Sequence, residues 1–164
     1  MTIIIKNKDT LIYDDFEFKC CVGKNGFTKS KIEGDGKTPR GRFSLGDLYY
    51  RKDKKHKPNT KLKIIEIKKN MGWCNDIKLK DYYNKLTNLN PNIKGERLFR
   101  KDYKYDFFIP IKYNWKNPTP GKGSAIFIHL TKNFKSTAGC IAMSEKDFLI
   151  LIKLIKKNTK IKIL

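Results

Sequence analysis

Short runs in which apolar and polar side chains alternate occupy most of the chain, a period typical of β-strands. Turn-rich loops, notably residues 33–41 and 117–123, separate these runs. The last residues, Thr159–Leu164, return to the same alternation. The pattern therefore predicts a mainly β fold. Before that last run, the predicted strands are Thr2–Lys6, Phe16–Val22, Gly41–Tyr50, Leu62–Ile67, Tyr105–Tyr113 and Ser124–Leu130.

One amphipathic helix is predicted near the C-terminus. Ser144 is a suitable N-cap, acidic residues follow it in the first turn, and Asn158 is expected to close the helix. Lysines lie in its last turns, where the helix dipole favours cations. Apolar residues recur at helical spacing and form one face for burial: Phe148, Leu151, Ile152 and Ile155.

The length and composition favour a single folded domain over residues 1–164, since the chain has neither a repeat nor a linker. Its apolar fraction of 39% is sufficient for a buried core. No segment approaches the roughly 20 apolar residues that a membrane-spanning helix needs. The apolar run Thr2–Ile5 is shorter than a secretory h-region, so we expect the chain as encoded to stay in the cytoplasm.

The net charge of +21 raises the alternative of a non-enzymatic module that binds nucleic acid or another anion. However, the excess is mostly lysine, and it is spread from Lys6 to Lys162. Arginine, which recognises phosphate with two parallel hydrogen bonds, is scarce. The abundance of Lys, Ile and Asn is also the composition expected from an AT-rich genome. We therefore do not expect nucleic acid to be the main partner.

The cysteines and histidines do not form a metal-binding pattern. The chain has no Cys-x-x-Cys, and its only histidines are His56 and His129, so no metal and no cofactor are expected. Disulfides are not expected without an export signal. Two Gly/Lys loops, 36–38 and 121–124, lack the spacing of a nucleotide-binding P-loop.

A more specific pattern lies in the last third of the chain. The apolar run 124–128 leads to His129, and a polar loop then leads to Thr137-Ala138-Gly139-Cys140. A histidine can take the proton of a thiol, and a glycine immediately before the cysteine allows a tight turn. Consecutive N–H groups around 138–140 could form an oxyanion hole. The alternative is a small core cysteine and a hydrogen-bonded histidine.

These residues resemble the catalytic motif of the YkuD-type L,D-transpeptidases, a histidine followed by Ser/Thr-x-Gly-Cys. The loop Lys31–Phe43 is similar to the family's Gly-Asp-Gly-x-Thr-Pro-x-Gly-x-Phe segment. Gly72–Asp76, followed by Tyr83-Asn84, resembles the Gly-Trp-Cys-Asp-Asp…Tyr-Asn stretch of one compact branch. Pro120–His129 matches the approach to the histidine. Two positions depart from many members, which have His and Arg where this chain has Ala138 and Ala142.

The resemblance implies a fold like that of the L,D-transpeptidase catalytic domain, a β-sandwich or barrel with one late amphipathic helix. It also implies that Cys140 is the nucleophile and His129 the base, with Gly139 in the turn. Ser136, Thr137 or a backbone carbonyl would orient the imidazole. The expected substrate-binding residues are Trp73, Asn75, Asp76, Tyr83, Asn84 and Ala138, although an internally bonded loop with Trp73 in the core is an equal alternative for the first five.

The implied substrate is a peptidoglycan stem peptide or muropeptide, which would form a thioester acyl-enzyme on the cysteine. Attack by an amine of a second stem would make the protein a cross-linking transpeptidase. Attack by water would make it an L,D-carboxypeptidase that trims tetrapeptide stems, the reaction that a cytoplasmic location favours. The family typically acts on the cell wall outside the inner membrane, so the resemblance and the expected location point to different compartments.

Overall fold

Ten strands form one long, curled sheet in the computed structural model, which describes residues 1–164. Two smaller sheets and one helix, α1 (Glu145–Leu154), complete the fold. The strands are β1 (Thr2–Ile5), β2 (Thr10–Tyr13), β3 (Phe16–Cys21), β4 (Phe27–Thr28), β5 (Thr38–Pro39), β6 (Gly41–Ser44), β7 (Leu48–Tyr50), β8 (Ile64–Glu66), β9 (Met71–Cys74), β10 (Leu86–Asn88), β11 (Gly95–Arg97), β12 (Phe107–Pro110), β13 (Phe127–Leu130), β14 (Ile141–Met143) and β15 (Lys160–Ile163).

The large sheet has the strand order β6-β15-β1-β2-β3-β14-β13-β12-β7-β8. Its middle joins distant parts of the chain, because β14 pairs with β3 on one side and with β13 on the other. The β13–β14 pair is parallel, and β12 runs antiparallel to β13. The three-stranded sheet β10-β9-β11 and the pair β4-β5 are separate from it. The predicted fold class, mainly β with one late helix, is confirmed.

The two faces of the central strands support different clusters because side chains alternate along a strand. One face contributes to the main core of 25 buried residues, which includes Ile128, Leu130, Ile141 and Met143. The other face supports a smaller group that we call the site-face cluster. Its nine buried members are Tyr49, Ile67, Trp73, Leu98, Tyr105, Phe108, Ala125, Phe127 and Cys140.

The helix covers the main core and leaves the site face free. Its buried residues Phe148, Leu151 and Ile152 belong to the main core. The Ser144 side chain accepts a hydrogen bond from Asp147 N at 3.1 Å, which confirms the predicted N-cap. No helix of the structure combines the length and the apolar character that crossing a bilayer requires.

The helix ends earlier than predicted, at Leu154 rather than near Asn158. Ile155 is fully buried in extended conformation, and a tight turn follows in which Lys156 N donates to Thr159 Oγ1 at 2.9 Å. This turn directs the chain into β15, which pairs with β1. Burial of Ile155 and pairing of the final strand therefore outweigh the helical pattern of the lysines.

Several predicted strands are shorter or divided. Gly41–Tyr50 forms two strands, β6 and β7, which belong to opposite ends of the large sheet. Between them Gly46 approaches Pro110 so closely that a Cβ atom would lie 3.2 Å from the proline ring. Ser124–Leu130 contributes only its last four residues to β13, because Ala125 has a positive φ of 52°. The chain therefore bends immediately before the strand that bears His129.

Candidate active site

The pairing of β13 with β14 places His129 and Cys140 on the same face of the sheet. His129 is the register partner of Ala142, and Cys140 lies two residues before Ala142. Residues two apart on a strand share a face, and register partners on adjacent strands share it as well. Phe127 N lies 3.4 Å from the Cys140 sulfur, which fits this arrangement. The fold therefore brings together the two side chains that the motif separates by ten residues.

The Cys140 thiol is buried against backbone groups. It donates to Ala125 O at 3.2 Å and accepts from Phe127 N at 3.4 Å. Burial raises the pKa of the thiol to about 12. The sulfur is therefore protonated at neutral pH and needs a base before it can act as a nucleophile.

The imidazole of His129 is held by a backbone carbonyl. Its Nδ1 lies 3.0 Å from Leu130 O, and a carbonyl oxygen can only accept, so the proton belongs on Nδ1. Nε2 then has a free lone pair, and His129 lines the cavity that contains Cys140. Burial lowers the pKa of His129 to about 4, so the ring is neutral at pH 7 and can accept a proton. Of the three alternatives for the orienting group, this geometry matches the backbone carbonyl.

Thr137 shapes the turn that precedes the cysteine. Its hydroxyl donates to Cys140 O at 2.6 Å and accepts from Gly139 N at 3.1 Å. Gly139 has a φ of 146°, and a Cβ atom there would lie 2.9 Å from Lys37 O, so only glycine fits without strain. The N–H groups of Ala138 and Cys140 have no acceptor within the protein.

Thr38 secures this turn from the other side. Its hydroxyl donates to Gly139 O at 2.8 Å and accepts from Gly23 N at 2.9 Å, and the side chain is fully buried. Thr38 belongs to the Gly-Asp-Gly-Lys-Thr-Pro segment, which the motif comparison identified without giving any residue in it a role. The segment therefore positions the backbone beside the thiol.

A cavity of about 380 Å³ opens over the two side chains. Its wall includes Cys140, His129 and the loop 135–139, in which Ser136 and Ala138 are exposed. Charged groups of both signs surround the opening. The basic ones are Lys31, Arg100, Lys104 and Lys135, and the acidic ones are Glu33 and Glu96.

Of the six residues predicted to bind substrate, two line the cavity. Asn75 and Ala138 line the cavity, whereas Asp76 accepts from Lys78 N at 2.9 Å within its own loop. Trp73, Tyr83 and Asn84 are buried behind the cavity wall. For these three the geometry matches the internally bonded alternative.

The buried residues connect to the site through hydrogen bonds. Asn84 Oδ1 accepts from Trp73 Nε1 at 2.9 Å and from Ala125 N at 3.0 Å, and Ala125 O accepts from the Cys140 thiol. Asn84 Nδ2 donates to the backbone carbonyls of Tyr113 and Asn114. This network therefore fixes the backbone against which the sulfur rests.

The two acidic residues of the cavity wall, Glu33 and Glu96, are also held by hydrogen bonds. Tyr83 OH donates to Glu33 Oε2 at 2.5 Å, and Ser124 Oγ donates to the same oxygen at 2.8 Å. Tyr105 OH donates to Glu96, and the Tyr105 ring meets the His129 ring edge-on at 5.4 Å. Sequence reasoning did not single out Glu33, Glu96 or Tyr105, because only the fold places them beside the cysteine.

The other three cysteines do not line the cavity that contains Cys140. All four are free thiols, and Cys20 lies in the main core on the opposite face. Cys21 is on the site face opposite Ala142, and its thiol donates to Lys135 O at 3.2 Å. Cys74 is fully buried in β9. No three His, Cys, Asp or Glu side chains are grouped as metal ligands would be.

The chain matches a protein-family model and is similar to a solved structure. No curated protein sequence matches this chain. Among solved structures it is similar to a mutant of the helical cell shape determining protein Pgp2 from Campylobacter jejuni, at 20% identity and a TM-score of 0.47. That similarity covers 99% of this chain but 46% of the other, so this chain spans less than half of that protein's length. The family model "YkuD: L,D-transpeptidase catalytic domain" matches residues 1–163, and the chain therefore belongs to this family.

Proposed function

We propose that this chain is a cysteine acyl-transfer enzyme of L,D-transpeptidase type that acts on peptidoglycan stem peptides through a thioester at Cys140. Membership of the family supports the reaction class. The observation that carries the assignment is the placement of one thiol and one imidazole on the same sheet face, in one cavity, beside two unpaired N–H groups. We also propose that residues 1–164 act as a single catalytic domain.

The first half of the reaction begins with proton transfer. His129 Nε2 takes the thiol proton while the sulfur attacks the carbonyl carbon that precedes the D-residue of the stem. The N–H groups of Ala138 and Cys140 then donate to the resulting oxyanion. When the C–N bond breaks, the leaving amine takes the proton from the imidazolium, and the thioester remains on the cysteine.

The timing of proton transfer follows from burial. A preformed thiolate–imidazolium pair would require both charged forms, and burial disfavours both of them. The thiol and the imidazole therefore start neutral, and the proton moves as the substrate arrives. An incoming substrate also replaces the water that would otherwise fill the cavity.

The second half of the reaction repeats these steps with a new nucleophile. His129 takes a proton from an amine or a water molecule, which attacks the thioester, and the thiol recovers its proton. An amine from a second stem gives a cross-link, whereas water gives a trimmed tripeptide. Cross-linking is our primary assignment because it is the family's reaction, and trimming is the alternative fate of the same acyl-enzyme.

The test is incubation of a diaminopimelate-containing tetrapeptide muropeptide with the wild type and with Cys140→Ala. We expect the wild type alone to release D-alanine, with dimer or tripeptide in the mass spectrum according to the acceptor. Cys20→Ala is the matched control, since it makes the same chemical change on the opposite face of the sheet. Release of D-alanine by Cys140→Ala would refute the cysteine mechanism.

A complete lack of reaction by the wild type would favour the anion-binding alternative. That alternative predicts tight nucleic-acid binding that weakens steeply with salt and persists in Cys140→Ala.

A further inference from the structure

Lys31 is a buried cation in a chain whose other lysines are more exposed. Its exposed fraction is 5%, and Arg51 is the only other buried lysine or arginine. The Arg51 guanidinium is paired with Asp53 and with the carbonyl of Arg100. Lys31 has one partner, Asp35 Oδ1, at 2.7 Å. A buried ammonium with a single acceptor is costly unless a further acceptor is supplied.

Two glycines make room for this side chain beside the nucleophile. A Cβ atom on Gly123 would lie 3.0 Å from three of the Lys31 side-chain carbons. A Cβ atom on Gly139 would lie 3.4 Å from Lys31 Nζ. The ammonium group therefore lies against the residue that immediately precedes Cys140.

Asp35 accepts one hydrogen bond from the Lys31 ammonium and leaves its other two N–H donors free. The Asp35 carboxylate also accepts from Ile32 N at 2.9 Å and from Lys37 N at 2.8 Å, so its position is set by its own loop. An ammonium has three protons, and only one of those on Lys31 has an acceptor within the protein. Lys31 also lines the cavity that contains Cys140 and His129. Two N–H donors with a full positive charge are thus available to an anionic oxygen at this wall.

We propose that Lys31 binds the C-terminal carboxylate of the donor peptide, that is, the carboxylate of the residue that leaves. The proposal rests on the function proposed above. Three bonds separate the attacked carbonyl carbon from that carboxylate carbon, a span of about 3 to 4 Å. When the carbonyl lies over the Cys140 sulfur and the leaving residue extends toward Gly139, its carboxylate lies beside the ammonium.

The test compares two donor peptides that differ only at the C-terminus, a free acid and its carboxamide. We expect wild-type kcat/KM for D-residue release to favour the acid by about 10- to 100-fold, the range of a charge-assisted hydrogen bond. Lys31→Met should lose this factor on the acid, change little on the carboxamide, and bring the ratio close to one. Lys31→Arg should keep the preference for the acid.

Lys29→Met is the matched control, since it removes the same charge two residues away from an exposed position outside the cavity. It should retain the wild-type ratio. Thermal unfolding checks that each variant is folded, and Lys31→Gln replaces Lys31→Met if the latter is not. Equal losses by the Lys31 variant on both peptides would overturn the proposal, as would a wild type without preference for the acid.

Binding to Cys140→Ala separates this proposal from the proposed function. The variant should bind the free acid more tightly than the carboxamide, by calorimetry, whether or not the wild type turns either peptide over. If the wild type releases no D-residue but the binding preference holds, the proposed function fails and the carboxylate site stands. Equal Kd values for the two peptides would remove the carboxylate site alone.

Discussion

At the scale of single residues, burial determines how the cysteine and the histidine share a proton. The same desolvation raises the pKa of the Cys140 thiol to about 12 and lowers the pKa of His129 to about 4. Both groups are neutral over a wide range of pH, and Nε2 of the imidazole has a free lone pair. In the proposed mechanism His129 is therefore a general base during attack, not the cation of a preformed ion pair.

His129→Gln tests this role. Glutamine can hydrogen-bond but cannot take the thiol proton, so we expect the rate of acylation to fall by about 10²- to 10⁴-fold. Quenched-flow mass spectrometry of the acyl-enzyme measures that rate, and circular dichroism checks that the variant is folded. A rate within a factor of about ten of the wild type would remove His129 from the mechanism.

The pH dependence of kcat/KM provides a second test at this scale. The base form of His129 is lost when the pH falls through its pKa, which burial lowers from 6.5 to about 4. We therefore expect D-alanine release to remain constant from about pH 8 down to about pH 5 and to decline near pH 4. A decline centred near pH 6.5 would contradict this environment for the imidazole.

At the scale of elements, the site depends on a bend and a turn that hydrogen bonds hold against each other. The bend at Ala125 precedes β13, and the turn at Gly139 precedes β14. Asn84 holds the first and Thr38 holds the second, each through a buried side chain. The parallel pairing of β13 with β14 then fixes the position of His129 relative to Cys140.

Asn84→Ala tests the importance of the bend. The change leaves several buried backbone and side-chain groups without partners and places alanine at a φ of 55°. We expect the free energy of unfolding to fall by about 3 kcal/mol, measured by urea denaturation. Asn117→Ala is the control, because Asn117 is exposed, and it should change stability by less than about 0.5 kcal/mol. A loss below about 1 kcal/mol for Asn84→Ala would show that the bend is held by other contacts.

At the scale of the whole molecule, the sequence predicts the fold class and the pairing of Cys140 with His129 better than it predicts the cavity wall. Alternation of apolar residues indicates strands, but it does not indicate that β14 lies between β3 and β13. The fold brings Lys31 and Glu33, from the loop between β4 and β5, to the same opening as Glu96 of β11. The short strands β4 and β5 were not predicted, because two residues cannot establish a period.

The same limit explains the residues whose roles could not be assigned. Trp73, Tyr83 and Asn84 stand in a recognisable motif, but a motif does not distinguish a side chain that touches substrate from one that supports the wall. Their partners lie up to 50 residues away, as in the contact between Tyr83 and Glu33. Burial and hydrogen bonds distinguish these two roles, and both are known only once the chain is folded.

Alkaline stability is a prediction for the molecule as a whole. Burial raises the pKa of the Cys20 and Cys140 thiols from 9.0 to about 12. Between these values the unfolded chain releases protons that the folded chain retains, so stability falls as the pH rises. Each thiol should lower the free energy of unfolding by about 1.4 kcal/mol per pH unit above pH 9. Urea denaturation under reducing conditions at pH 8, 9.5 and 10.5 measures the slope.

In Cys140→Ala the free energy of unfolding should fall less steeply with pH, because only the Cys20 thiol still contributes. An unchanged slope in the variant would contradict a buried, protonated thiol at position 140.

The central claim is that Cys140 carries the acyl group, and its most direct test is the mass of the protein during the reaction. The wild type is mixed with the tetrapeptide muropeptide, quenched with acid, and digested for peptide mapping. We predict a mass increase equal to the substrate minus D-alanine, located on the peptide that contains Cys140 and absent in Cys140→Ala. An adduct on Cys21 or on another residue, or D-alanine release without dependence on Cys140, would contradict the account.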